Sequence, residues 1–373
     1  MKLIPFSRLY DSIEPIYDEY LDKISGLIKK TEFIGGEEVE SFALEFAAWT
    51  GTKYAVGTAN GTDSLIIALK ALGIGPGDKV LVPVNTFIAT SESVTMVGAE
   101  VDFIDVEEDY YTMSPEGLEG YLNSSKGSNV KAIIPVHLYG QMADMSSLCD
   151  IARKHGLKVI EDAAQAHGAT LQGRQPGYFG DIATYSFYPG KNIGAFGDAG
   201  AITTNDVALY KKCKMLINHG RWEAKYEHEI EGLNMRLDTL QAAVLRIKLK
   251  HIDAWTISRK KVAKEYLSRL EGIDVVVTPK IRPGADPVWH IFAIQINARD
   301  FLAKRLKEIG VSTGVHYPIP LHQQPAYANK NYLPGDFKVA EAQAKRQLSL
   351  PIWPEMRDEE IRYVVEGIQK ILT

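Results

Sequence analysis

A chain of 373 residues, 45% hydrophobic, is long enough to bury a large core and to carry a smaller unit beside it. Its formal net charge of -5 argues against a molecule built to neutralise nucleic-acid phosphates or anionic lipid, so nucleic acid is not an expected partner. The N-terminal MKLIPFSRLYDSIEP lacks an unbroken apolar run, and no segment reaches the roughly 18 apolar residues of a membrane span, so a cytoplasmic protein without membrane contact is expected.

Between Lys53 and Asn205, short runs rich in Val and Ile alternate with helical patterns, which is how βα units of a largely parallel sheet read. The expected strands are 53–58, 79–84, 99–106, 131–137, 157–162, 183–187 and 199–205. Between them, SPEGLEGYL at 114–122 opens with a Ser cap followed by Pro, and MSSLCDIARKHG closes on Gly156, suited to a helix C-terminus. LDTLQAAVLRIKLKHIDAWTISRKKVAKEYLSRL, 237–270, keeps apolar residues at helical spacing and predicts one long or gently bent helix. Beyond it come two expected strands, VVVTP and HIFAIQI, a helix near 300–308 and a closing helix near 358–371. No repeat, low-complexity tract or flexible linker separates the two parts.

Ligands of open α/β sheets collect at the carboxyl ends of strands, so residues just after each strand carry the interest. Asn60, Gly61, Thr62 and Asp63 follow the first strand and open a helix. That pattern reads either as an anion site made of free amides or as a plain helix cap. Glu161 and Asp162 end the fifth strand, with Gln165 and His167 close behind. A buried carboxylate there could hold a cationic ring nitrogen, or merely cap the next turn. Ser186, Tyr188 and Lys191 lie in a Gly- and Pro-rich stretch, where Lys191 reads either as a solvated surface lysine or as a held amine. Lys211, Lys212 and Lys214 lie in a helical pattern and read as a solvated face, while His316 and Tyr317 sit in a proline-rich loop that could line a pocket. Cys149 and Cys213 have no neighbouring cysteine, and His137, His167, His316 and His322 show no HxxxH or HExxH spacing, so neither a disulfide framework nor a metal site is expected.

Six ordered segments, NGTDSL, PVNTFIAT, VIEDAAQAHGA, YSFYPGKNIGAFGDAGA, GLNMRLDTLQAAVL and GVHYPIPLHQQPAY, resemble the DegT/DnrJ/EryC1/StrS family of pyridoxal-phosphate-dependent nucleotide-sugar aminotransferases. The resemblance implies a fold type I transferase. It would have a large, mostly parallel α/β domain over 1–250, with an N-terminal arm and the cofactor, and a small α+β domain over 251–373. It implies that Lys191 carries the cofactor as a Schiff base, that Asp162 pairs with the pyridine nitrogen, that Gln165 meets the phenolic oxygen and that Phe87 stacks on the ring. Backbone donors from Gly61, Thr62 and Asp63 and the Ser186 hydroxyl would hold the phosphate, with Asn234 reaching in from a neighbouring subunit. Tyr188, His316 and Tyr317 would contact substrate, joined by Arg221, Lys225 and His228 of the partner, so a homodimer with shared active sites is implied.

The implied reaction takes an amino group from L-glutamate, leaving pyridoxamine phosphate, and passes it to a dTDP- or UDP-linked keto-hexose. Tyr188 and the RLDTLQAA segment look more like members that aminate C3 than like those that aminate C4. Lys191 stands where members resembling the 3-dehydrase carry His, which favours transamination over dehydration. A nicotinamide-dependent oxidoreductase would rest on Gly73, Gly75 and Gly77, but these miss the GxGxxG spacing and precede a strand. A non-catalytic regulator on the same scaffold would have little use for Lys191, Asp162 and Gln165 together.

Overall fold

The computed structural model describes residues 2–372. The N-terminal arm holds α1 (Leu9–Ile13), α2 (Tyr17–Lys30) and α3 (Glu37–Thr50). The Val- and Ile-rich runs then become β1 (Tyr54–Thr58), β2 (Lys79–Pro83), β3 (Glu100–Ile104), β4 (Val130–Ile133) and β5 (Lys158–Asp162). A two-residue strand β6 (Thr170–Leu171) precedes β7 (Ile182–Ser186) and β8 (Gly200–Thr204). All but β6 form one sheet in the order β1-β8-β7-β5-β4-β2-β3. Only β8 runs against its neighbours, so the other six strands end along one edge and β8 begins there.

Both sheet faces are covered, which is why the strands read as continuous apolar runs instead of alternating ones. In β2 the two-residue period sends Leu81 into one core and Val80 and Val82 into the other. The crossovers are α4 (Gly61–Ala71), α5 (Ala89–Met96), α6 (Pro115–Leu122) and α7 (Met145–His155), and α8 (Val207–Ile217) follows β8. Their ends follow the local chemistry: Ser114 Oγ accepts the Gly117 amide at 3.0 Å, and Gly156 takes the left-handed conformation that closes α7. The Gly73–Gly77 segment is a helix stop and a turn, in which Asp78 accepts the Gly75 amide at 3.0 Å.

Two elements differ from the sequence reading. The expected long helix is two, α9 (Thr239–Leu249) and α10 (Ile252–Leu270). At the junction the amides of Lys250 and His251 bond three residues back, to Ile247 and Lys248, tightening the turn and ending the α-ladder. VVVTP is not a strand, because Val277 alone pairs, in a bridge to Gln295, and Pro279 has no amide to extend the ladder.

The C-terminal unit adds β9 (Ala285–Asp286), which pairs with β6, then β10 (Phe292–Gln295), α11 (Arg299–Glu308), α12 (Lys338–Arg346), β11 (Gln347–Leu350) and α13 (Asp358–Leu372). Strand β11 was not expected; it pairs antiparallel with β10. α13 buries Ile361, Val364, Val365 and Ile368 at helical spacing, a gain of roughly 1.5–3 kcal/mol for each side chain. They join a core with Tyr266, Phe292 and Trp353, into which the arm sends Ile4, tied by its amide to the Gly310 carbonyl at 2.8 Å. Among the described residues no helix is long and apolar enough to cross a membrane.

Candidate active site

Alternation along β5 separates its two terminal acids. Glu161 is fully buried and saturated: one oxygen accepts the amides of Gly177, Phe179 and Gly180, and the other meets His137 Nε2 at 3.0 Å. That is a structural role. Asp162 faces the other way, accepting Thr90 Oγ1 at 2.8 Å on one oxygen and the Ala164 amide at 3.1 Å on the other. The carboxylate is 5% exposed and held at the strand edge.

Lys191 lies in the loop from β7 to β8, pinned by its own amide to the Tyr188 carbonyl at 2.8 Å and by the Ala195 amide to the Phe187 carbonyl at 2.7 Å. Burial pulls its amine down to about 8, against the opposing pull of the Asp162 charge. A lysine so placed gains free base close to neutrality, as a nucleophile or proton carrier needs. Capture of an aldehyde by this amine in the apo-protein is therefore expected to accelerate as pH rises through about 8 and to level off above it. Stopped-flow absorbance against pH checks this, and a flat profile from pH 6 to pH 9, or one that rises only near the ordinary lysine value of about 10.4, would contradict it.

Beside the lysine, α4 begins against the end of β7. Asn60 caps the helix: its Oδ1 accepts the Asp63 amide at 2.8 Å and its carbonyl accepts the Ser64 amide at 3.1 Å. Of the three amides expected to meet a phosphate, that of Asp63 is thus already engaged by Asn60, which leaves Gly61 and Thr62. Those two amides have no carbonyl of their own helix to bond. The Asp63 carboxyl is raised above its usual range by burial, with the Asp198 charge acting the same way. Close approach is built in: a Cβ on Gly61 would stand 2.7 Å from Ser186 Cβ, and one on Gly200 would stand 2.4 Å from the Asn60 carbonyl oxygen. Ser186 Oγ is half-buried there and accepts the Tyr188 amide at 3.3 Å.

The proline-rich loop supplies the opposite wall. Gln165 accepts the Tyr139 amide at 2.7 Å and donates to the Tyr317 hydroxyl at 3.3 Å. Burial, then the Asp162 charge, raises Tyr317 to about 12. Its ring lies 5.7 Å from that of Phe87, which is 53% exposed and so presents an aromatic face to open space. His316 stacks on Phe6 and meets Ser349 Oγ at 2.9 Å. Burial and then Lys191 lower it to about 4, so it is neutral. Tyr188 is exposed.

The structure therefore gathers Lys191, Asp162, Gln165, Phe87, Ser186, Tyr317 and His316. Asn234, Arg221, Lys225 and His228 lie on another segment and share no hydrogen bond, ion pair or ring contact with Lys191, Asp162 or Tyr317. Asn234 is exposed and pairs with Asn218, His228 leans on the His219 carbonyl, and Lys225 covers Tyr226. Two neighbours of the site lie inside the quoted segments but were given no role by the sequence. Thr90 lies inside PVNTFIAT without an assigned role. Asn192 is clamped between the Val288 carbonyl and His290, whose basicity is lowered by burial and then by Lys191.

Pyridoxal phosphate asks for a buried acid at its ring nitrogen, an aromatic on its face, bare amides at its phosphate and an amine of lowered basicity, and these residues fit it. The architecture is that of the fold type I pyridoxal-phosphate-dependent transferases. The chain belongs to the DegT/DnrJ/EryC1/StrS aminotransferase family, whose profile matches residues 15–369. It is 44% identical to a pleiotropic regulatory protein of Geobacillus stearothermophilus, over 98% of this chain and 97% of that one. It is 43% identical to the UDP-N-acetyl-3-dehydro-alpha-D-glucosamine 3-aminotransferase of Acidithiobacillus ferrooxidans, over 99% and 98%. The crystal structure of Streptomyces venezuelae DesV, in complex with a ketimine intermediate, superposes with a TM-score of 0.96 at 42% identity, covering 100% of this chain and 99% of that one.

Proposed function

We propose that this aminotransferase moves an amino group from L-glutamate to C3 of a dTDP- or UDP-linked keto-hexose, working as a homodimer whose subunits complete each other's sites. The observation that carries the reading is the Lys191 amine, lowered to about 8 by burial and facing the buried Asp162. Pyridoxal phosphate, when bound, supplies a protonated ring that stores the electrons of the deprotonated substrate carbon.

The chain's own residues do the rest. Asp162, fixed by Thr90, holds the ring nitrogen's proton, and its buried charge acts without screening by water. Gln165 orients the phenolic oxygen, Phe87 covers the ring face, and the Gly61 and Thr62 amides with Ser186 anchor the phosphate. Lys191 Nζ would hold the cofactor and, as a free amine, would carry the proton that leaves the donor's Cα. His316, being neutral, and Tyr317, keeping its proton, are suited to hydrogen-bond sugar hydroxyls without placing a charge on the reacting carbon. Asn234, Arg221, Lys225 and His228, being unengaged with their own site, are assigned to the partner's phosphate and substrate. The division near residue 250 places the cofactor on the large unit and lets the small one close the pocket.

The choice of C3 rests on Tyr188 and on the 3-aminotransferase name of the Acidithiobacillus ferrooxidans relative. The test is a panel of dTDP- and UDP-linked 3-keto and 4-keto hexoses incubated with glutamate and followed by 2-oxoglutarate release. Turnover confined to 3-keto sugars is expected. Turnover confined to 4-keto sugars overturns the position, and turnover only with ketones carrying no nucleotide overturns the substrate class.

A further inference from the structure

Beyond β4 the chain turns at Leu138–Gly140, where Tyr139 takes φ 61° and ψ 5° and Gly140 follows at φ 94°. Glycine enters this left-handed region freely, but a residue with a Cβ is crowded there and stays only where its surroundings hold it. Tyr139 is held at every polar atom. Its amide donates to Gln165 Oε1 at 2.7 Å, its carbonyl accepts the Ile291 amide at 3.3 Å, and its hydroxyl donates to the His316 carbonyl. The ring is buried and packs edge-on against Tyr111, with centroids 5.3 Å apart. Burial, with Tyr111 and Tyr317 acting the same way, raises the hydroxyl well above the ordinary tyrosine value, so it keeps its proton and serves as a donor.

These contacts close a ring of hydrogen bonds. It runs from the Tyr139 amide to Gln165, from Gln165 Nε2 to the Tyr317 hydroxyl at 3.3 Å, along the chain to His316, and from the His316 carbonyl back to the Tyr139 hydroxyl. Tyr139 and Gln165 belong to the large unit, His316 and Tyr317 to the C-terminal one. A backbone amide can only donate, so it fixes which way the Gln165 carboxamide faces. Oε1 is turned to Tyr139, and Nε2 keeps one hydrogen beyond the one given to Tyr317, suited to an acceptor such as a phenolic oxygen. On the other side, Gln347 Nε2 also donates to the His316 carbonyl and Ser349 meets the His316 ring at 2.9 Å, but both stand on β11. Tyr139 is therefore the large unit's hold on that carbonyl. Glycine would fit this backbone without crowding, so the side chain is what a tyrosine adds here.

We propose that Tyr139 is a positioning residue for the amino transfer, its amide turning the Gln165 carboxamide toward the cofactor and its hydroxyl setting His316 and Tyr317 against the keto-sugar. The inference rests on the substrate reading above and adds the residue that aligns the two walls of that site. Tyr139 acts through these neighbours, and a small displacement of either wall misplaces the substrate relative to the reacting amine.

The test compares the holoenzyme with its Tyr139→Phe variant, which keeps the ring, the amide and the bond to Gln165 and loses only the hydroxyl. Hydrogen exchange read by mass spectrometry should show uptake about fivefold faster or more in the peptide spanning 312–321, with that spanning 157–165 unchanged. With glutamate and the dTDP- and UDP-linked 3-keto hexoses, the acceptor's KM should rise about five- to tenfold. Turnover, and the glutamate half-reaction followed by the cofactor's absorbance, should change less than about threefold. Should Tyr139→Phe fail to fold, Tyr139→Gly, whose backbone is at ease at φ 61° and whose amide still reaches Gln165, takes its place and should show the same split. Faster exchange confined to 312–321 supports the role even where no nucleotide-linked ketone is aminated, an outcome that removes the substrate class alone. Unchanged exchange there, or an acceptor KM indifferent to the variant while such a ketone is still aminated, overturns the positioning role and leaves the reaction standing. An equal fall in both half-reactions with KM unmoved marks a residue that only supports the fold, and overturns it as well.

Discussion

Lys191→Ala is expected to lower amino transfer by roughly 10³-fold or more, because the variant loses both the covalent anchor and the group that carries the proton. The phosphate amides, Asp162 and Phe87 are untouched, so the protein should still hold its cofactor noncovalently, with an altered absorption spectrum. Lys191→Arg should behave alike, since a guanidinium supplies no free amine at working pH. The check is 2-oxoglutarate release from glutamate and keto-sugar, measured at full cofactor occupancy. Activity within tenfold of wild type, in either variant, would remove Lys191 from the chemistry.

Asp162→Asn is expected to cost roughly 10²–10³-fold in turnover while leaving folding and cofactor binding intact. Asparagine keeps the shape, and its carbonyl still accepts from Thr90 Oγ1, which now reaches Asp162 at 2.8 Å. What is lost is the negative charge, together with the acceptor for the Ala164 amide at 3.1 Å. That charge also favours the ammonium form of Lys191, so its removal lets the lysine fall further below about 8. The rising limb of the apo-protein's aldehyde capture should then move to lower pH, opposite to the move expected if a cation near the lysine had been removed. A variant that is slow but keeps the wild-type limb would mean that Asp162 acts on the ring alone.

The strands were legible because both sheet faces are buried, so the runs around Val80, Ile133 and Ile160 stand out without alternation. Caps at Ser114 and Gly156 were legible because a single residue type decides them. The reversal of β8 was not, since a strand sequence carries no direction. Strand β11, Gln347–Leu350, stayed hidden because it is short and half polar, and VVVTP misled because propensity cannot tell whether a partner edge is free. In the proposed site, Lys191, Asp162 and Gln165 stand in the sequence as motif letters, each open to a bland reading, and the sheet edge places them near one another. The spent amide of Asp63 depends on one side-chain hydrogen bond from Asn60, which no pattern announces. Lys248 sits in a helix that reads as ordinary amphipathic sequence, and only its burial against the Lys191 loop separates it from the solvated lysines nearby.

The central claim is that Lys191, among the chain's lysines, carries the cofactor. Reducing the holoenzyme with borohydride, digesting it and reading the peptides by mass spectrometry tests this directly. The cofactor's mass should be found on the peptide containing Lys191 and on no other. Its appearance on Lys248, or on any other lysine with Lys191 unmodified, would contradict the account.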